Sequence, residues 1–547
     1  MTKFTNRPTA RPTGPVRSTG ITRTHEGAVG YSRDAESELF LLAATNMVSE
    51  GTFYESATAR DERFQRLVHQ VAKTNPEWLL GAEDLEQRTA GKVGFIEYLR
   101  NTLQMRSASL VMAAEFVRSG APGGRRAVRQ AISRADEPAE ILGYWMSQYG
   151  RKLPAALKRG VADAVVRLYT ERNALKWDGQ SKDIRFADVI ELVHPRPRMV
   201  WGGKGAPPAG RQSDLFKYLL DRRHHPDNAE IPDSLELIHL DRRLLAMPTE
   251  GRRVALKEGL VAEAGWSWER LAGWLPGGMD SEAWMSVIPQ MGYMALIRNL
   301  RNFDDAGIYA KVKSEVCRRI EDPEEVAKSR QFPYRFWSAY KNAPSLEWGA
   351  SLERALDYSC RNIPELSGRS LILIDTSASM NDTVSDRSKA RRFEVGALFA
   401  GALAKRAANP TVVIFGDQSK EFPIGKSESV LRYVDRVGAS IGSVGHGTMI
   451  WRSVQEHFAN HDRVVIFTDE QSMDDAGQPM RTYYGRSDGI DSSTYKAIPA
   501  VHAFNLAGYR AGTVPPGSGR YTYGGFTDAT FVLMAALEAG SEAGWPF

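Results

Sequence analysis

Apolar side chains recur at helical spacing along most of the first 360 residues. Residues 153–168 show the pattern: Leu153, Leu157, Val161, Val165 and Leu168 fall on one stripe, while Lys158, Arg159 and Arg167 fall elsewhere around the same helix. Comparable stripes run through residues 38–47, 64–71, 103–117, 141–149, 235–245, 291–300 and 352–358. Breakers separate many of them, among them Asn75-Pro76, Pro122-Gly123-Gly124, Pro138, Pro207-Pro208, Pro276-Gly277-Gly278 and Pro364. Short amphipathic helices in succession, without a clean repeat period, predict stacked helical pairs with degenerate repeats, an α-solenoid. After Pro364 the pattern changes. β-rich runs at 371–374, 411–415, 463–468 and 500–506 alternate with helical runs at 391–407, 429–436, 451–458 and 528–537. That alternation predicts a doubly wound, mostly parallel sheet beginning near residues 366–369.

Residues 1–30 are rich in Thr, Pro, Gly and Arg and hold few large apolar groups. They bury too little surface to offset ordering entropy, so they read as a flexible basic tail. The expected division is a tail over 1–30, a helical domain over 31–366 and an α/β domain over 367–547. The chain has 547 residues, 42% of them hydrophobic, and no apolar run approaches the roughly 20 residues of a membrane span. The basic N-terminal stretch lacks the apolar core of a secretory signal. Two cysteines, Cys317 and Cys360, cannot build a disulfide framework; they are expected to be buried thiols in a reducing, cytoplasmic protein.

Charge narrows the choice of partner. The net charge is +5, but residues 370–547 carry 17 Lys+Arg against 19 Asp+Glu, leaving 54 against 47 in the preceding residues. A polyanion, if bound, belongs on the first two-thirds of the chain. No P-loop, paired CxxC set, G-x-S-x-G elbow or HExxH helix is present, and Gly202-Gly203-Lys204-Gly205 lacks phosphate-cradle spacing, so no enzymatic activity is expected.

The α/β region does carry chemistry. Its first strand runs into Asp375-Thr376-Ser377-Ala378-Ser379, a D-x-S-x-S; a later strand ends in Thr468-Asp469; between them lies Gly445-His446-Gly447-Thr448. Ligands in such sheets bind beyond the carboxyl ends of the strands. Mg²⁺ or another hard divalent cation wants six oxygens and keeps waters. Ser377, Ser379 and Thr448 can supply hydroxyl oxygens directly, with Asp375 and Asp469 orienting ligand waters. Ser after Asp also caps helices, but three pieces in order at strand ends favour the ion. Hydroxyl ligands leave most of the cation's charge unquenched, so an open position would attract a carboxylate or phosphate.

These three pieces resemble the metal-ion-dependent adhesion site of von Willebrand A domains. His446, Met449 and Glu470 depart from the usual pattern; His446 would face either the anion or solvent. The helical region resembles the TROVE module in the arrangement of the Ro family, over residues 34–54, 169–197, 291–303 (with "ALIRNL"), 332–340 and 363–380, and in the "LVHPRP" turn. The resemblance implies a multidomain fold: a HEAT-like helical ring closed by a von Willebrand A domain. It further implies a monomeric RNA-binding protein of RNA quality control. Small structured non-coding RNA (Y RNA-like) would bind on the outer surface, single-stranded 3′ ends of misfolded RNA in a central hole, and an exoribonuclease would be a partner. Arg172, Lys176, Arg185 and His194 match the family's outer RNA-facing region. Arg298, Asn299 and Arg301 offer polar groups on the helix expected at 294–303, where they can also cap carbonyls or pair with Asp304 and Asp305. The cluster Arg222-Arg223-His224-His225 and the loop at 118–129 are candidate extensions. The alternative is a Mg²⁺-dependent protein-interaction scaffold that captures an acidic residue of its partner.

Overall fold

The computed structural model describes residues 18–23, 29–45, 57–83, 93–179, 181–197, 210–226, 228–343, 345–384, 390–469, 482–483, 486–487, 490, 492–506, 514, 519–523, 529–539, 545 and 547. The insertion at 201–209, Glu470, and Asp474-Asp475 lie outside them. The chain divides into two compact units, one formed by residues 71–102 and 106–319, the other by residues 1–70, 103–105 and 320–547. No helix among the described residues is long and apolar enough to cross a membrane.

The first of these units is helical. The stripe read at 153–168 becomes the helix Ala155–Leu168, with Leu157, Val161 and Val165 fully buried. The breakers act as starts and stops. Asn75 caps the helix Pro76–Leu80 by accepting the Trp78 amide at 3.3 Å, and Pro76 occupies its first turn, where a missing N–H is harmless. Gly150, at φ 76°, closes the helix Glu137–Tyr149 in the left-handed region that a Cβ disfavours. The helices Gly124–Ala131 and Ala155–Leu168 pack closely at Gly160. A methyl there would lie 2.6 Å from Val128 Cβ and 2.9 Å from the Arg125 carbonyl oxygen. Gly160→Val is therefore expected to lower stability by about 1–3 kcal/mol through overpacking, read as a drop in the denaturant midpoint. A midpoint equal to wild type would mean that the two helices can move apart freely.

Two local expectations need correction here. The helix read over 294–303 is broken into Tyr293–Arg298 and Leu300–Asp305. At the break the Asn299 N–H reaches the Leu296 carbonyl at 3.1 Å, a tighter step than the α-helical one, while its side-chain amide donates to the Ala295 carbonyl at 2.8 Å and its side-chain oxygen accepts from Asn302 at 2.7 Å. A residue before proline is pushed out of the helical region, which predicts an extended His194 at a helix exit; His194 does leave the helix Phe186–Val193, but at φ 49° and ψ 60°. In that left-handed geometry its N–H reaches the Ile190 carbonyl at 2.8 Å and satisfies an otherwise orphaned helix-end acceptor.

The second unit holds a six-stranded sheet in the order Arg520–Tyr523, Ala500–Asn505, Arg463–Thr468, Leu366–Asp375, Ala407–Phe415, Ser419–Glu421. All pairings are parallel except the last, an antiparallel edge. The central strands are buried on both faces, which explains why they read as unbroken apolar runs. The expected onset near 366–369 coincides with the first strand. Every residue of the helix Arg392–Ala404 is buried. An ionic clamp ties the sheet to the helix Ala529–Ala539: Arg463 donates to both Glu538 oxygens at 2.6–2.9 Å, and His502 contacts Glu538 at 2.9 Å. The Trp545 and Phe547 rings pack against Phe40 of the helix Ala35–Thr45, at centroid distances of 5.0 and 6.1 Å. Within the stretch read as a tail, Ser18–Arg23 pairs antiparallel with Val29–Arg33. Of the two cysteines expected to be buried, Cys360 is, but Cys317 is only half-buried.

Candidate metal centre and basic cleft

The D-x-S-x-S sits at the carboxyl end of a central strand, beside the end of Arg463–Thr468. Asp375 is fully buried; its Oδ1 accepts the Ser377 amide at 2.9 Å and its Oδ2 the Thr468 hydroxyl at 2.7 Å. Both oxygens are thus engaged in orienting neighbours. Burial, reinforced by the charge of Asp469, pushes the Asp375 carboxyl above the ordinary carboxylate range. The Ser377 and Ser379 hydroxyls lie 3.2 Å apart. Adjacent ligands of an octahedral Mg²⁺ with bonds of about 2.1 Å would be about 3 Å apart, so this pair suits one edge of the octahedron.

The glycine-rich turn is pinned to the same end of the sheet. Gly442 N–H donates to the Thr376 carbonyl at 3.2 Å and Met449 N–H to the Gly416 carbonyl at 3.0 Å. The backbones touch so closely that a Cβ on Gly416 would lie 2.4 Å from the Gly445 oxygen. Asp417 accepts the His446 amide at 3.0 Å, while the exposed His446 ring lies against Gly442. Thr448, on this turn, is half-buried. Among the described residues no group of three or more His, Cys, Asp or Glu side chains could hold a metal. A cation here would depend on the hydroxyls plus the two aspartates. That donor set fits a hard divalent ion.

One participant escaped the sequence reading. Arg392, 8% exposed in its side chain, donates from Nη1 to Asp469 Oδ2 at 2.9 Å and lies 3.4 Å from the Ser379 carbonyl oxygen. The signal available was an arginine in the first helical turn, where the helix dipole disfavours positive charge.

The helical unit carries a separate feature, a cleft of about 960 Å³. Arg125, Arg129, Arg159, Arg167, Arg196 and His194 line it, against the carboxylates of Glu97 and Asp163. Arg125 is spent on Asp163 through two 2.7 Å bonds, and Arg167 donates to the Ile132 carbonyl. Arg129, Arg159 and Arg196 are exposed and have no hydrogen-bond or ion-pair partner among the described residues.

The other sequence candidates divide by environment. Arg172 is exposed, with its guanidinium beside Gly265; Lys176 is exposed and lies 4.9 Å from the Trp177 ring centroid. Arg298 and Arg301 are exposed and have no ion-pair partner among the described residues. Asn299 is 2% exposed and its amide is used internally. Arg185 is 12% exposed in its side chain and paired with Asp178, which also takes Arg222. Arg223 pairs with Asp188 and His224 with Glu191, so the cluster expected to extend the patch is largely neutralised.

Residues 251–394 match the TROVE domain family. A stretch of 118 residues, 21% of this chain, is 31% identical to telomerase protein component 1 of Mus musculus, and it spans 4% of that protein's length. The fold matches the crystal structure of the Deinococcus radiodurans Ro (RSR) protein with a TM-score of 0.61 and 17% identity, covering 93% of this chain and 100% of that one.

Proposed function

We propose, from the match of residues 251–394 to the TROVE domain family and of the fold to that of a Ro protein, that this chain binds structured non-coding RNA through the basic cleft of its helical unit. The observation that carries the reading is the set of three exposed arginines, Arg129, Arg159 and Arg196, converging on one cleft without carboxylate partners among the described residues. Unpaired guanidinium groups around a concave surface recognise phosphate, and of the apolar residues in the same lining the half-buried Val166 leaves a side chain for a base to touch, whereas Ile132 and Val193 belong to the core beneath. Exposed Arg172, Lys176 and His194, with Arg298 and Arg301, are further contacts in this reading.

The finer parts of the proposal follow from the family resemblance: a Y RNA-like ligand outside, single-stranded 3′ ends of misfolded RNA in a central hole, an exoribonuclease partner, and no catalysis by the chain itself. Filter binding with a structured RNA bearing a single-stranded 3′ tail tests it. Retention at low salt should be lost steeply as salt rises, and labelled RNA incubated with Mg²⁺ should remain intact. Absence of retention at low salt would overturn the proposal. So would cleavage that disappears in Asp375→Ala.

A second reading is favoured by the hydroxyl pair at Ser377 and Ser379. The α/β unit would hold Mg²⁺ with Ser377, Ser379 and Thr448 as direct ligands, and Asp375 and Asp469 behind ligand waters. The cation would supply an open position for a carboxylate or phosphate of a partner. Partner capture abolished by chelation, without RNA binding, would make this the main function.

A further inference from the structure

We infer that Arg392 is a built-in counter-cation that competes with a divalent ion for Asp469, so that metal uptake requires the guanidinium to leave. This rests on the metal-centre reading above and adds a residue that the resemblance does not supply. Asp375 and Asp469 are both fully buried at adjoining strand ends. Two carboxylates in a low-dielectric site demand a positive partner. Arg392 provides one at 2.9 Å from Asp469, from a side chain that is itself more than nine-tenths buried. It does so at a poor position for an arginine. It occupies the first turn of its helix, where the dipole is positive, and its Nε is buried without a hydrogen-bond partner. An arginine held at that disadvantage is there for the carboxylates, not for the helix.

A divalent ion held by Ser377 and Ser379, with Asp469 orienting its water, would face the guanidinium across a short distance. The two cations repel, and both need the same carboxylate. The structure offers the displaced group an alternative. Asp382, 67% exposed in its side chain, lies 3.7 Å from the same Nη1. A small swing about the outer arginine torsions would carry the guanidinium from the buried aspartate to the exposed one, leaving Asp469 to the ion. The site would then exist in two forms, one closed by arginine and one charged with metal. Only the second presents an electrophilic open position to an anion.

Isothermal titration of the full-length chain with Mg²⁺, paired with thermal unfolding, tests the inference in three proteins. Arg392→Met keeps the apolar stem and removes the charge. It should bind Mg²⁺ at least tenfold more tightly than wild type, melt lower without metal, and gain more from its addition. Asp382→Asn, a surface change, should bind Mg²⁺ several-fold more weakly, because the guanidinium loses its second perch. It also keeps the test decisive if the methionine variant does not fold. Mg²⁺ affinity in Arg392→Met equal to or below wild type overturns the inference while leaving the metal centre standing. Unchanged or tighter binding in Asp382→Asn does the same. If none of the three binds Mg²⁺ at millimolar concentration, the metal-centre reading itself falls, and the inference with it.

Discussion

Replacing Arg129, Arg159 and Arg196 together by alanine is expected to weaken binding of a structured RNA roughly 100-fold at about 0.1 M salt. Each phosphate contact releases about 0.7–0.9 of a condensed counterion, so losing three should also flatten the plot of log K against log salt by about 2 to 3. The three side chains are exposed and without protein partners among the described residues, so the melting temperature should hardly move. That separates lost recognition from lost folding. Arg125→Ala is the contrasting control. Its guanidinium is committed to Asp163, and its removal should change the salt slope little. A triple variant with an unaltered slope would move the phosphate contacts away from the cleft, with Arg298 and Arg301 next to be tested.

The largest expected effect on stability lies at Glu538. Glu538→Ala leaves Arg463 and His502 facing a buried void without their carboxylate, and should cost about 3–5 kcal/mol in denaturant unfolding. The wild-type protein should show the same interaction in its acid response. Burial opposes ionisation of Glu538, yet the hydrogen bonds from His502 and Arg463 outweigh it and hold the carboxyl down at about 2. A carboxyl held below its unfolded value, about 4.3, stabilises the fold fully above that pH. The contribution then drains away as pH falls towards about 2. Glu538→Gln should be less stable at neutral pH and should lose less on acidification through that window. Equal slopes for the two proteins would show that other carboxylates govern acid unfolding.

Much of this architecture is legible in the chain because burial and period coincide. The strand Arg463–Thr468 is apolar where both faces are covered, and the run at 463–468 marks it to the residue. The helix Ala155–Leu168 keeps a single apolar stripe and is equally plain. Legibility fails where local side-chain chemistry overrides the period. Asn299 looks like one more polar position on a helix, but its amide bonds to Ala295 and ends the turn. The edge strands Ser419–Glu421 and Arg520–Tyr523 are too short to alternate visibly. For the metal centre, the three motif pieces name the strand ends and the turn correctly. They are silent about Arg392, because a contact between residues 77 positions apart leaves no spacing to read. Arg185 fails for a related reason: a charged residue in a basic stretch looks free until its distant or hidden carboxylate is located, and here Asp178 is 1% exposed in its side chain.

The unit that contains the sheet is assembled from residues 1–70 together with 320–547, and the helical unit is spliced into the middle of it. On a ribosome the inserted helices can emerge and close on themselves while their host is still half made. The helix Ala35–Thr45, whose Leu39, Phe40, Leu41 and Leu42 are all buried in the finished protein, must wait for partners as late as Trp545 and Phe547. Until then at least the Phe40 ring lacks part of its apolar cover, so closing this unit depends on a contact between segments separated by nearly the whole chain.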